Sequence, residues 1–135
     1  MKAIEVTLLF WVLFVFGCSD SAPVEIEKLL NENLKFCEAE DFEGYLSTMH
    51  PEAINEVLKN EMLSLWHTYD LSYSIESIEL VSMTENKTIV RVIQTTTKKR
   101  GPSFADNRGT FIHELRKHDN AWKFFSTGVE KFETL

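Results

Sequence analysis

The spacing of apolar residues changes once along this chain, and this change limits the fold more than any other feature. Between residues 24 and 69, apolar side chains recur every three or four positions, which predicts helices. From Leu71 onward they alternate with polar ones, which predicts strands. Helices followed by strands indicate an α+β domain whose helices cover one face of an antiparallel sheet. We expect three N-terminal helices packed on a strongly curved sheet of about four strands.

Caps and apolar stripes define the predicted helices. Pro23 suits the first turn of the first helix, because proline lacks the N–H group that would be unsatisfied there. Asp41 caps a short second helix that ends at His50-Pro51, and Pro51 begins a third helix that runs to about residue 69. Glu61 falls inside the core-facing stripe of the third helix, which consists of Ile54, Leu58, Met62, Leu65 and Tyr69.

The second half of the chain predicts two hairpins. The alternation changes phase near Glu76-Ser77, where we expect a β-bulge that bends the sheet. A turn over residues 84–87 leads to a second strand over 88–98, and Asp119-Asn120 joins strands over 110–117 and 122–127. These turns set a register with four informative pairs: Ile78 with Ile93, Leu80 with Arg91, Leu115 with Phe124, and His113 with Ser126.

The first eighteen residues resemble a bacterial lipoprotein signal. The apolar run over residues 6–16 is too short to span a bilayer, which needs about 20 residues, and is typical of a secretory signal. Val15-Phe16-Gly17-Cys18 places a small residue before a cysteine, as that signal does. The resemblance implies removal of residues 1–17, diacylation of Cys18 as a membrane anchor, a tether over residues 18–23 and a domain over residues 24–135.

The same resemblance predicts a location. Ser19, rather than Asp, follows Cys18, which favours the outer membrane facing the periplasm over the inner membrane. The alternatives are a plain transmembrane anchor or a conventional secreted protein. If Cys18 carries lipid, Cys37 has no partner for a disulfide and is expected to be a small buried hydrophobic residue.

Charge and motifs exclude several classes of function. The net charge of −7 disfavours binding to nucleic acid. The sequence holds no His-x-x-x-His pair, no glycine-rich phosphate loop, no Gly-x-Ser-x-Gly and no Cys-x-x-Cys. We therefore expect neither a metal nor a nucleotide cofactor.

Several segments in order resemble the nuclear transport factor 2-like superfamily, also called cystatin-like cones. They are the segment Asp41-Phe42-Glu43-Gly44-Tyr45-Leu46, the helix end at His50-Pro51, and the stretch from Asn107-Arg108 through residues 113–123 with its Asp119-Asn120-Ala121-Trp122-Lys123 turn. The resemblance implies a curved sheet around helices, with a pocket at the open end. That superfamily mixes ketosteroid isomerases, dehydratases and polyketide cyclases with non-catalytic binding domains, so the fold alone assigns no function.

Strand phase suggests residues for such a pocket. In the predicted register Arg91 shares a face with Ile78 and Leu80, where it needs a carboxylate, solvent or an anionic ligand. Glu61 is the expected partner, and together they form a polar pocket floor; the alternatives are a structural ion pair or an arginine that reaches the rim. His113 lies on an aromatic face as a general base or a ligand-orienting donor, or as hydrogen-bonded packing.

Together these residues give two candidate functions. The candidate pocket residues are Tyr45, Glu61, Asp70, Arg91, His113 and Trp122. We expect a lipid-anchored, non-catalytic envelope protein whose pocket binds a small apolar or anionic molecule or a partner protein. The alternative is a cofactor-independent isomerase, dehydratase or cyclase that uses His113 or Asp70 as its base, with electrostatic support from Arg91 and Tyr45.

A homodimer through the uncovered face of the sheet is also expected. Helices cover only one face, and the superfamily that the chain resembles often dimerises sheet to sheet. The alternative is that a C-terminal segment with Val129 and Phe132 folds over this face in a monomer. The candidate contact residues are Val81, Val90, Val92, Ile112 and Phe125.

Overall fold

A computed structural model describes residues 23–135 of the chain. Helices α1 (Val24–Ala39), α2 (Phe42–Ser47) and α3 (Glu56–Thr68) precede four strands, β1 (Asp70–Met83), β2 (Lys87–Arg100), β3 (Asn107–His118) and β4 (Ala121–Thr134). The strands form one antiparallel sheet in the order β1-β2-β3-β4. The α+β class and the four-strand sheet are confirmed. The predicted signal peptide and Cys18 lie outside the described residues.

Side-chain caps explain where α2 and α3 begin. Asp41 accepts a hydrogen bond from the Gly44 N–H at 2.9 Å and caps α2, as predicted. The predicted third helix is wrong at its start, because Pro51 begins only a 3₁₀ turn that ends at Ala53. Asn55 then accepts from the Leu58 N–H at 2.9 Å, so α3 starts five residues later than expected.

The main core lies between α1 and the inner face of the sheet. Its buried members are Ile26, Leu29, Leu30, Val90, Val92, Leu115, Trp122 and Phe124. In contrast, no residue of α3 is buried, and Glu61 is exposed, so its predicted place in a core stripe is wrong. No helix within residues 23–135 is long and apolar enough to cross a membrane.

Two bulges in β1 decide which face of the sheet is inside. The predicted bulge is present, since the register shifts between Ile75 and Ser77. A second shift between Leu80 and Ser82 was not predicted. As a result Leu80 faces Val90 and Ile78 faces Val92, and the predicted pairs with Arg91 and Ile93 are wrong.

The terminal hairpin has the predicted turn but a different register beyond it. Leu115 faces Phe124, as predicted. A register shift then makes Phe125 an extra residue, so His113 faces Thr127 instead of Ser126. β4 also continues past residue 127 to Thr134, beyond its predicted end.

Candidate functional site

A cavity of about 490 Å³ lies between the helices and the inner face of the sheet. This volume is within the range of small-molecule sites, roughly 300–1,000 Å³. α3 lines one side of the cavity with Leu58, Met62 and Leu65, so its apolar side meets the cavity instead of a packed core. The remaining apolar lining comes from Leu34, Met49, Ala53, Phe111, Phe124 and Phe125.

His113 is the polar group of the cavity with the most defined surroundings. Its ring stacks on Phe111, with centroids 6.1 Å apart, and meets the edge of Phe124 at 5.0 Å. Its Nδ1 lies 2.7 Å from the Thr127 Oγ1. Burial lowers the pKa of His113 to about 4, so the imidazole is neutral at neutral pH. With Nδ1 held by Thr127, Nε2 is the ring nitrogen left to meet a ligand.

Three other titratable groups line the cavity, and all of them are neutral at neutral pH, with burial raising each pKa further. Burial raises the pKa of Tyr45 to about 12 and also raises that of Tyr73. Burial, with a contribution from the neighbouring Glu38, raises the pKa of the Cys37 thiol to about 12. Cys37 is therefore a buried, unreactive thiol, in agreement with the sequence prediction.

Among residues 23–135, no charged side chain lines the cavity. None of the described residues that line it is Asp, Glu, Lys or Arg. Its other polar groups are the neutral Asn33, Gln94, Ser126 and Thr127. A charged ligand would lose its hydration here without an opposite charge to replace it, so the lining suits an uncharged molecule.

Arg91 lies on the outer face of the sheet, away from the cavity. It contacts Glu79 on β1 and forms a bidentate pair with Glu130 on β4, at 2.9 and 3.2 Å. The predicted Arg91–Glu61 pocket floor is therefore wrong. The ion pairs of Arg91 instead connect β2 with β1 and β4 on the outer face of the sheet. Through its hydrogen bonds, Arg91 also holds the pKa of Glu130 below its usual range.

The structure brings only two of the six candidate pocket residues, Tyr45 and His113, into the cavity. Asp70 starts β1 in a separate hollow, where its Oδ2 accepts from Arg100 at 3.2 Å. Trp122 is buried in the main core, and its Nε1 donates to the Glu25 Oε1 at 3.2 Å. Glu61 lines a shallow surface hollow on α3.

Sequence reasoning missed several polar residues of the cavity, among them Tyr73, Gln94, Asn33 and the His113 partner Thr127. Tyr73 faces Thr96, and Gln94 lies two residues earlier on β2, so both point inward in the observed register. Asn33 belongs to α1, one position before the apolar Leu34. No group of three or more potential metal ligands occurs within residues 23–135.

The observed register also changes which of the residues predicted for a homodimer contact lie on the outer face of the sheet. Val90 and Val92 are buried in the core, and Phe125 packs against the Arg116 guanidinium. Val81 is 47% exposed, so the homodimer itself stays a prediction. The alternative of a covering C-terminal segment is wrong, because Val129 and Phe132 continue β4 and are 62% and 60% exposed.

Comparison with known families gives one match that covers most of the chain. The sequence model described as "Anti-sigma-I factor RsgI9, C-terminal domain" matches residues 28–135. The curated protein named anti-sigma-I factor RsgI9, from Acetivibrio thermocellus, is 34% identical over 98 residues, which make up 73% of this chain. The match spans only 14% of the length of that protein.

Solved structures with the same fold are more distant in sequence. A protein with a cystatin-like fold from Nostoc punctiforme has a TM-score of 0.66 at 15% identity, over 78% of this chain and 86% of its own. Aln2 from a Streptomyces species has a TM-score of 0.69 at 12% identity, over 84% of this chain and 94% of its own. A ketosteroid isomerase-like protein from Erwinia carotovora atroseptica has a TM-score of 0.58 at 20% identity, over 79% of this chain and 95% of its own. These likenesses establish the cystatin-like, nuclear transport factor 2-like fold.

Proposed function

The chain belongs to the family of the C-terminal domain of anti-sigma-I factor RsgI9, and we propose that its domain binds a small, uncharged, largely apolar molecule in the cavity. The observation that carries this proposal is a cavity of about 490 Å³ to whose lining the described residues contribute no charged side chain. The relative's name describes a much larger protein, of which this chain matches about one seventh. The proposed role is therefore that of a binding domain.

The polar groups of the cavity define the kind of ligand. The hydroxyls of Tyr45 and Tyr73 are protonated and can donate, while the His113 Nε2 can accept or donate according to its tautomer. A flat or alicyclic molecule with one or two hydroxyl, carbonyl or N–H groups fits this combination. The anionic ligand considered from the sequence loses its support, because Arg91 lies outside the cavity.

Binding is better supported than catalysis. The enzyme alternative needed Asp70 or His113 as base and Arg91 as electrostatic support, and neither Asp70 nor Arg91 lines the cavity. A histidine with a pKa of about 4 is a weak base for proton abstraction at neutral pH. His113 therefore serves better to orient a ligand than to remove its proton.

Methionine methyl groups offer a direct test of binding. Met49 and Met62 line the cavity, whereas Met83 at the end of β1 is 40% exposed and outside it. In the full chain labelled with ¹³C-methyl methionine, we expect indole to shift the Met49 and Met62 resonances saturably and to leave Met83 unmoved. Indole-3-acetate should bind at least about tenfold more weakly, since its carboxylate loses hydration without a partner.

A matched pair of substitutions on α3 locates the binding. Leu65→Trp places bulk in the cavity and should abolish the indole-dependent shifts. Leu63→Trp adds the same bulk at a position that is 46% exposed and does not line the cavity, so it should bind indole as the parent chain does. Equal shifts of all three methyl groups, or tighter binding of the acetate, would contradict the proposal.

The location follows as a second, separate proposal. The supporting feature is the Val15-Phe16-Gly17-Cys18 segment, which would attach the domain through lipid on Cys18 to the envelope, at the outer membrane facing the periplasm. In cells fed radiolabelled palmitate, the full chain should incorporate label and Cys18→Ala should not. Cys37→Ala is the control and should remain labelled, because Cys37 is buried in the domain. If the parent chain took up no label, the proposed lipid anchor would be contradicted.

A further inference from the structure

The C-terminal half of β4 is an open edge of the sheet. β3 is the only strand that pairs with Ser126–Thr134 in the described part of the chain. The first half of the same edge is covered, since the Phe124 N–H donates to the Thr48 carbonyl at 2.9 Å and the Phe124 carbonyl accepts from the His50 N–H at 2.8 Å. All of residues 126–132 are exposed, including two large apolar side chains.

An open edge with exposed apolar residues is a template for pairing with another strand. Main-chain hydrogen bonds supply affinity in such pairing, and alternate side chains supply specificity. The sequence of this edge, Thr127-Gly128-Val129-Glu130-Lys131-Phe132-Glu133-Thr134, is complementary to itself when two copies run antiparallel. Val129 then faces Phe132 of the second copy, and Glu130 faces Lys131.

The β4 bulge makes this complementarity consistent with the two faces of the sheet. Val129 faces Phe111 and Phe132 faces Gly109, so both lie on the inner face although they are three residues apart. This is possible because the register shift between Thr110 and Phe111 makes Glu130 an extra residue. In an antiparallel pair, opposed residues must share a face. Without the bulge, Val129 and Phe132 would lie on opposite faces.

Charges fit the same register. Glu130 points to the outer face, where Arg91 holds it, and Lys131 faces Thr110 on that face too. Lysine on an open edge usually discourages pairing with other strands. Lys131 already contacts Glu133 of its own strand at 3.1 Å, and in the antiparallel register it also lies opposite Glu130 of the second copy, so the pairing brings no two lysines together.

We propose that Thr127–Thr134 is a homodimerisation edge, at which two copies of this chain join their sheets through antiparallel β4 strands. The pairing continues the inner face from one copy to the next. Phe132 of the second copy then lies beside Val129, next to Phe111 in the cavity lining. Each cavity thereby gains an apolar border from the other copy.

Sedimentation of the full chain in non-ionic detergent micelles tests the assembly. We expect a dimer, and we expect Phe132→Glu to raise its dissociation constant at least about tenfold, since a carboxylate would face Val129 of the other copy. The combination of Val129→Lys with Phe132→Glu should restore the dimer, because each lysine then faces a glutamate. Both positions are at least 60% exposed, so an unchanged thermal transition should show that the variants remain folded.

Disulfide formation tests the register. In a chain with Cys18→Ser, the double variant Val129→Cys and Phe132→Cys should form a covalent dimer on mild oxidation. Either single cysteine should not, because identical positions of the two copies are offset by three residues, beyond disulfide reach. A dimer that persists in Phe132→Glu, or single variants that cross-link as readily as the double, would overturn the proposal. A monomeric parent chain would also overturn the proposal. This holds even if residues 1–22 protect the main-chain amides of the edge.

Discussion

Truncation of Leu115 to alanine is expected to lower the free energy of unfolding by about 3 kcal/mol, because the buried side chain leaves a cavity that its neighbours cannot fill. Leu115 is fully buried, faces Phe124 across the terminal hairpin and faces Thr88 on β2. It therefore joins three strands at the centre of the core. Urea denaturation followed by tryptophan fluorescence measures the change.

Leu63→Ala is the matched control for this prediction. Leu63 is 46% exposed on α3, so the same truncation should cost no more than about 0.5 kcal/mol. If the two variants lost similar stability, Leu115 would not hold the central position that the structure gives it.

Replacement of His113 with glutamine is expected to remove a large part of the acid sensitivity of the domain. Burial lowers the pKa of His113 from 6.5 to about 4, so between these values the unfolded chain binds a proton that the folded chain excludes. The free energy of unfolding is therefore unaffected by protonation of His113 above about pH 6.5, and it falls as the pH drops toward 4. The loss reaches about 3 kcal/mol near pH 4, because the pKa difference of about 2.5 units corresponds to about 3.5 kcal/mol in full, at about 1.4 kcal/mol for each unit.

Unfolding free energies measured from pH 7 down to pH 4 test the role of His113. The difference between the parent chain and His113→Gln isolates this histidine from the carboxylates, which titrate in both proteins. We expect that difference to change steadily with pH across the interval. A constant difference would mean that His113 takes up its proton in the folded state near its ordinary pKa.

The architecture was predictable from the sequence because it depends on local patterns. The change from helical to alternating spacing marks the boundary before β1, and Asp41 caps α2 where its position suggested. The bulge near Glu76 was predictable as well, because apolar residues on both sides of it reveal the change of phase. Asn55, in contrast, competes with Pro51 as a helix start, and the sequence alone does not rank the two.

The candidate site was less predictable because one bulge reversed a face. The predicted register holds next to the first turn, where Ser82 faces Ile89. The extra residue Val81 then moves Leu80 from Arg91 to Val90, and no apolar alternation marks this position since the next residues are Ser82 and Met83. Arg91 and Glu61 were thus placed in a pocket that neither of them lines. His113 was placed correctly because Phe111 and Leu115 on its own strand fix its face.

The hydrogen bond between Trp122 and Glu25 has a consequence for synthesis of the chain. It joins residues 97 positions apart, near opposite ends of the domain. Adjacent strands of the sheet are consecutive in sequence, so each can pair as soon as its neighbour leaves the ribosome. α1 is made first, yet its core partners Trp122 and Phe124 belong to the strand made last. Earlier strands supply its other core partners, Val90, Val92 and Leu115, so the apolar side of α1 is only partly covered until the last strand of the domain has been made.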